Sequence, residues 1–149
     1  MWLDVPFVRQ PKDGCGAASV SMIVQYWKRA GDSGIDQIHA ATYSRELRGA
    51  HTDKLKQYLS ERGFRVFDFA GAWQDLREQI DKGRPVIVCL QTRARQPRHY
   101  VVVAGTAGKH LLVNDPADRK LRRMERTAFE KSWAAAGSWM LLAVPGEGP

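Results

Sequence analysis

"RQPKDGCGAASVSMIVQYW", residues 9–27, sets a cysteine between two glycines at the threshold of a run with helical spacing. Ala18, Val20, Met22, Ile23, Tyr26 and Trp27 fit a helix over 16–29 that is buried on most of its circumference. A structural cysteine usually lies inside such an apolar run, whereas Cys15 stands just ahead of it. A free thiol is largely protonated at neutral pH, with an ordinary pKa of about 8.5, and the thiolate is the form that attacks. A helix N-terminus offers unpaired backbone N–H groups and the positive end of the macrodipole, both of which favour negative charge. Gly14 and Gly16 let the chain turn tightly and leave room for a substrate backbone to approach, so both are candidate substrate-binding positions.

Outward from this helix, "LDVPFV" (3–8) reads as a short extended segment leading to a loop at Gln10. "AGDSGI" (30–35) ends the helix, and 36–47 reads as a second one. Thr52 or Asp53 caps a third over 54–62, with Leu55, Tyr58 and Leu59 on one face and Gly63 as its stop. The period then changes. "FRVFDFA" (64–70) alternates as a strand, and "AWQDLREQIDKG" (72–83) is an amphipathic helix closed by Gly83. "RPVIVCLQ" (84–91), "HYVVVAGT" (99–106), "KHLLVNDP" (109–116) and "SWMLLAVP" (138–145) are strands, with "TAGK" (106–109) a hairpin turn. "RTAFEKSWAAAG" (126–137) is a further helix. Helices gather early and strands late, which predicts an α+β fold with a mostly antiparallel sheet. The 149 residues suffice for one domain spanning 1–149.

Composition narrows the function classes. The chain is 44% hydrophobic and 26% charged, with 23 Lys and Arg against 16 Asp and Glu and a net charge of +7. No apolar run approaches bilayer-spanning length. The start lacks a signal-peptide pattern, so a cytoplasmic setting is favoured for the chain as given, with export following if a precursor segment is removed. Two cysteines form one disulfide at most, and no zinc-type spacing is present, so neither a metal nor another cofactor is expected. The basic runs "RARQPRH" (93–99) and "RKLRRMER" (119–126) lack the interleaved aromatics of a single-strand platform, so nucleic acid is not expected as a partner. Arg93, Arg95 and Arg98 are candidates to line a cleft rim and attract an acidic peptide, with a solvated loop as the alternative. Leu121 and Met124 read as core contacts. Cys89 reads as a buried, inert strand residue, and Trp73, Trp133 and Trp139 as packing.

A thiol nucleophile needs a proton acceptor, and the acceptor needs a group to hold it. Of four histidines, His39 lies within the second helix and His51 just before the third, where surface or capping roles suit both. His110 follows the hairpin turn and is expected to be exposed. His99 opens the run "HYVVV", and Asp115 closes the next strand in "LLVNDP". In an antiparallel hairpin the two lie at the same end, where the carboxylate orients the imidazole and stabilises its charged form. Gln10 supplies a side-chain amide that, with the backbone N–H of Cys15, binds an oxyanion. Each residue alone has a structural reading: Gln10 in a loop, His99 in a strand, Asp115 in a turn before proline. The four together, at turns and strand ends suited to their roles, are much harder to explain structurally and point to nucleophilic acyl transfer.

The pieces "VPFVRQPKDGCGAASVSMIVQYW", "RPVIVCL", "RHYVVVAG" and "LLVNDPA" resemble, in order, a papain-like cysteine peptidase, and more narrowly the bacteriocin-processing peptidases that cut leader peptides after a double glycine. The resemblance implies a helical half packed on an antiparallel half, with a cleft between them. It also implies Cys15 as nucleophile, His99 as general base and then acid, Asp115 as orienting carboxylate and Gln10 as oxyanion donor. A peptide or protein substrate is implied too, and association with a separate transporter is consistent with it, since many members are fused to one. The commonest motif has an acid immediately before the cysteine; here Gly14 displaces Asp13. Two other readings use the same residues: an acyltransferase or transpeptidase in which an amine resolves the thioester, and a non-catalytic peptide-binding module. Oligomeric state is not legible.

Overall fold

The apolar spacing after Cys15 becomes α1 (Cys15–Tyr26), in which Cys15 through Val24 are all buried. The protein is described by a computed structural model covering residues 1–27, 33–93 and 95–146; the expected end of this helix near Arg29 and the first half of "AGDSGI" lie outside those residues. Burial around the whole circumference requires cover on every side. α2 (Ile35–Thr42) and α3 (Thr52–Glu61) pack beside α1, and the strand β5 (His99–Ala107) packs across it.

The remaining elements are β1 (Tyr43–Ser44), β2 (Gly49–Ala50), β3 (Phe64–Ala70), α4 (Trp73–Asp81), β4 (Val86–Leu90), β6 (His110–Asn114), β7 (Arg122–Glu125), α5 (Arg126–Ala135) and β8 (Trp139–Pro145). Six strands form one sheet in the order β3-β8-β4-β5-β6-β7, with every neighbouring pair antiparallel. All five residues of β4 are buried, so both faces of the sheet are covered there and polar alternation disappears. α4 packs against β4 and β5, and α5 against β4, β6 and β7. The fold is α+β with an antiparallel sheet, as the sequence predicts.

Four local expectations change. The helix expected over 36–47 stops at Thr42, because Tyr43 turns to extended backbone (φ −71°, ψ 138°) and 43–50 folds back as the small β1–β2 hairpin. α3 is capped by neither Thr52 nor Asp53. His51 does this, its Nδ1 accepting a 3.3 Å hydrogen bond from the Asp53 N–H. The basic run 119–126 contains the edge strand β7, with Leu121 and Met124 packed against the core. His110 is half-buried between Ala107 and Glu125 rather than exposed.

Two features of the sheet position the candidate site residues. β5 and β6 turn at Gly108 (φ +62°), so His99 begins one strand and Asp115 directly succeeds the other. A register shift between Val103 and Gly105 leaves the Ala104 carbonyl accepting from Leu3 N at 2.7 Å, and Trp2 bridges Gly105. The N-terminal segment is thereby sewn to the bulge. A Cβ on Gly105 would lie 2.8 Å from the backbone of Met1 and Trp2.

Candidate active site

Cys15 is the first residue of α1. The chain enters it through a turn in which Gly14 N–H donates to the Pro11 carbonyl at 2.9 Å and Asp13 takes a left-handed φ of 56°. The residue in the unusual conformation is therefore Asp13, not either glycine. The glycines answer to space instead: a Cβ on Gly14 would meet Pro11 Cγ at 2.6 Å, and one on Gly16 would meet Ala50 Cβ at 2.5 Å. Gly16 thus lets the β1–β2 hairpin approach the helix right behind the thiol.

The side chains then form a chain of contacts. Cys15 is 7% exposed, and its Sγ accepts a 3.4 Å hydrogen bond from the backbone N–H of Tyr100. His99 Nε2 lies 2.6 Å from Asp115 Oδ1. An ionised carboxylate only accepts, so Nε2 carries a proton toward Asp115, and the Cys15 sulfur is near enough to the ring to influence its titration. Asp115, its side chain 5% exposed, also accepts from Ala117 N at 3.0 Å and, through Oδ2, from Arg122 Nη1 at 2.8 Å. Gln10 N donates to the Pro116 carbonyl at 3.0 Å, which ties the Gln10 loop to the Asp115 turn. The Gln10 amide oxygen is buried and accepts no hydrogen bond among the described residues. Neighbouring Asn114 is fully buried; its Nδ2 donates to the Val5 carbonyl and its Oδ1 accepts from Leu121 N, both at 3.0 Å.

Electrostatics are set by these contacts. Burial alone would push the His99 pKa down, but the hydrogen bonds to Asp115 and Cys15, and the charges they carry, outweigh it and raise the pKa to about 9. Burial likewise opposes ionisation of Asp115, yet the bond and charge of His99, the Ala117 N–H and Arg122 hold its carboxyl below the ordinary range. A group whose pKa is raised on folding contributes stability that is complete below its unfolded value of 6.5 and is lost as pH rises through about 9. The His99 ring should accordingly titrate near pH 9 by NMR. In Asp115→Asn the midpoint should fall toward 6.5, because a neutral amide no longer favours the imidazolium.

A cleft of about 690 Å³ opens on the Tyr100 side of the site, its lining next to but not including Cys15 and His99. Tyr100, whose N–H reaches Cys15, lines it, as do Ala50, which abuts Gly16, and Arg98, which precedes His99. Cys89 also borders the cleft; burial pushes its thiol up to about 12, and both cysteines are free thiols. Arg93 and Arg95 are exposed but do not line the cleft, so only Arg98 of the three expected rim arginines is placed there. Trp139 lines the cleft and meets Tyr100 edge-on at 5.7 Å, Trp133 packs on Phe129, and Trp73 lies under Arg126.

Two contributors escape a reading of the sequence. Tyr100 sits inside the "HYVVV" run as an ordinary strand residue, and its hydroxyl also reaches Thr52 Oγ1 at 2.9 Å. Arg122 gives no sequence signal, because its link to Asp115 depends on β7 pairing Arg122 with Val113. Among the described residues no cluster of His, Cys, Asp or Glu could hold a metal ion, and no helix is long and apolar enough to cross a membrane.

The profile of the Peptidase_C39 like family matches residues 2–140. The chain belongs to that family. Among curated proteins, the uncharacterized protein YvpB of Bacillus subtilis (strain 168) is 32% identical where the two align, over 51% of this chain and 38% of YvpB. The match thus spans well under half the length of that relative. Solved C39 structures share the fold at lower identity. The peptidase domain of Streptococcus ComA, a bifunctional ABC transporter of a quorum-sensing pathway, is 20% identical with a TM-score of 0.77, covering 95% of this chain and 98% of that one. A Bacillus anthracis protein described as a C39-like peptidase gives 18%, 0.75, 97% and 96%. A double-glycine-motif protease from an AMS/PCAT transporter, bound to leader peptide, gives 19%, 0.74, 97% and 94%. The chain thus combines membership of the Peptidase_C39 like family with the fold of C39 peptidase domains.

Proposed function

We propose that the protein is a cysteine peptidase in which Cys15, His99, Asp115 and Gln10 carry the chemistry. The observation that carries this reading is the 2.6 Å contact between the His99 ring and the Asp115 carboxylate, with the Cys15 sulfur held by the backbone N–H of Tyr100, the residue next to His99. His99 takes the thiol proton at Nδ1, and the Cys15 thiolate attacks the carbonyl carbon of a peptide bond. The oxyanion that forms is held by the Cys15 backbone N–H and the Gln10 side chain. Rotation of the Gln10 amide exchanges its two ends and presents a donor at the position that now has no partner. The imidazolium then protonates the leaving amine, and a thioester joins Cys15 to the acyl half. Water, deprotonated by His99, releases the acid and restores the thiol. Asp115 keeps the ring oriented and stabilises its charged form, and Arg122 fixes the carboxylate from the other side. Gly14 and Gly16 keep this turn narrow enough for a substrate backbone to reach the sulfur. The leader-bound neighbour supports a peptide substrate, cut after small residues such as Gly-Gly.

Iodoacetamide near pH 6, followed by mass spectrometry, tests the reading. Cys15 should be labelled far faster than free cysteine, the labelling should slow in His99→Ala, and Cys89 should stay unmodified. Labelling of Cys15 no faster than free cysteine would leave a peptide-binding module in place of an enzyme.

A further inference from the structure

We infer that the β3 edge of the sheet is a dimer surface, where two copies of this chain pair β3 with β3 antiparallel across a two-fold axis at Phe67. This goes beyond the peptidase reading and does not depend on it. β3 is the last strand of the sheet and pairs only with β8. Gly63, just before it, accepts from Gly146 N at 2.8 Å, and Gly71, just after it, donates to Ser138 O at 2.9 Å. Bonded residues alternate along an antiparallel ladder, so Arg65, Phe67 and Phe69 bond β8 in the same phase. Val66, Asp68 and Ala70 therefore aim their backbone N–H and C=O groups outward, where no strand meets them among the described residues. Native edges are normally short, charged or interrupted by proline. The opposite edge follows that pattern: β7 has four residues, Arg122, Arg123 and Glu125 among them, and runs directly into α5. β3 has seven residues, FRVFDFA, without Pro, Gly or Lys. α3 covers one of its faces, where Lys56 holds Asp68 at 3.0 Å. On the other face Arg65, Phe67 and Phe69 are all exposed, Phe67 by 44% and Phe69 by 42%.

The order of side chains names a second copy as the occupant, because a two-fold interface must complement itself. The outward backbone groups lie on alternate residues, so the register can move only in steps of two, and the one centred on Phe67 pairs the whole of β3. Val66 then exchanges backbone hydrogen bonds with Asp68 of the other copy. Phe67 meets Phe67 at a non-bonded pair, where cross-strand side chains come closest. Arg65 and Phe69 stand equally far on either side of Phe67, so each Arg65 falls opposite a Phe69, cation against ring face. Arg65 already lies over an aromatic on this face, 5.8 Å from the centre of the Phe67 ring. A slip of one step sets either Asp68 against Asp68, which repels, or Phe69 against Gly63, which offers it no side chain.

Sedimentation velocity on the full chain tests this. From about 1 to 200 µM the mass should rise from 16.8 kDa to twice that value. Phe67→Lys and Phe67→Glu each set like charges face to face on the axis, and each alone should weaken the dimer at least about tenfold. An equimolar mixture of the two should recover the doubled mass, because opposite charges then meet on the axis. Val66→Pro removes an outward N–H and no bond to β8, so it should give a folded monomer by circular dichroism. Arg123→Glu, on the other edge strand, should leave the dimer unchanged. Amide exchange at Val66 and Ala70 should slow as concentration rises, while Phe67 and Phe69, already bonded to β8, should not change. A single 16.8 kDa species at every concentration would overturn the inference and leave the edge to a strand of another protein. A dimer that survives both charge variants, or a mixture that stays monomeric, would overturn it as well.

Discussion

Replacing His99 with alanine should lower kcat/KM for a cleavable peptide by a factor of about 10³ or more, with the fold intact. General acid–base catalysis by a positioned side chain is worth roughly 10²–10⁴, and here one imidazole is asked to act at three points: taking the thiol proton, protonating the amine and activating water. His99 is also the cation that faces the sulfur, so its loss removes charge stabilisation as well as the proton path. The ring lies at the first position of β5, with its side chain about a third exposed, so truncation leaves no large core cavity and circular dichroism should be unchanged. Cys15→Ala should abolish turnover outright while preserving peptide binding. An alanine variant at His99 that retained more than a tenth of the wild-type rate would refute the assignment.

Gln10→Ala should cost on the order of 10²–10³ in kcat and little in KM, the pattern of a donor that acts only once negative charge has formed. The ground-state carbonyl needs little from that amide, whereas the tetrahedral oxyanion needs it fully. Gln10 is anchored through its backbone to Pro116, so the alanine variant keeps the loop and loses only the carboxamide. Its amide oxygen is buried without a partner, so truncation also relieves an unsatisfied polar group and should not lower the urea midpoint. A rise in KM at constant kcat would instead assign Gln10 to uniform substrate binding.

The main elements of the fold are legible in the sequence because most of their signals are local. "HYVVV" and "HLLVN" are period-free apolar runs of strand length around a Gly turn, and their antiparallel pairing is almost a necessity. That pairing puts His99 and Asp115 at one end. The hidden part depends on register or on distant contact. β7 is a strand because "RRME" finds β6 as a template; read alone, 119–126 is a basic run with Leu121 and Met124 as core contacts and no strand signal. The 43–50 hairpin interrupts a helix-like pattern because Ala50 must reach Gly16, a contact across 34 positions of chain. Arg122 joins Asp115 through the same unreadable register. The cap of α3 falls one residue before the expected position, since histidine is a poor guess for a role that Thr and Asp fill more often.

The bulge at Gly105 has a mechanical consequence. The segment that ends in Gln10 is pinned at its start to that bulge and at its end to Pro116, so it rides on the same β-hairpin as the imidazole and the carboxylate. Three of the four proposed catalytic groups are therefore tied to one body, and only the sulfur belongs to the other half. The separation between helix and hairpin is then the lone coordinate by which the machinery can be disengaged. A protein that wedged those halves apart by about an ångström or two would silence it while leaving every other distance in register.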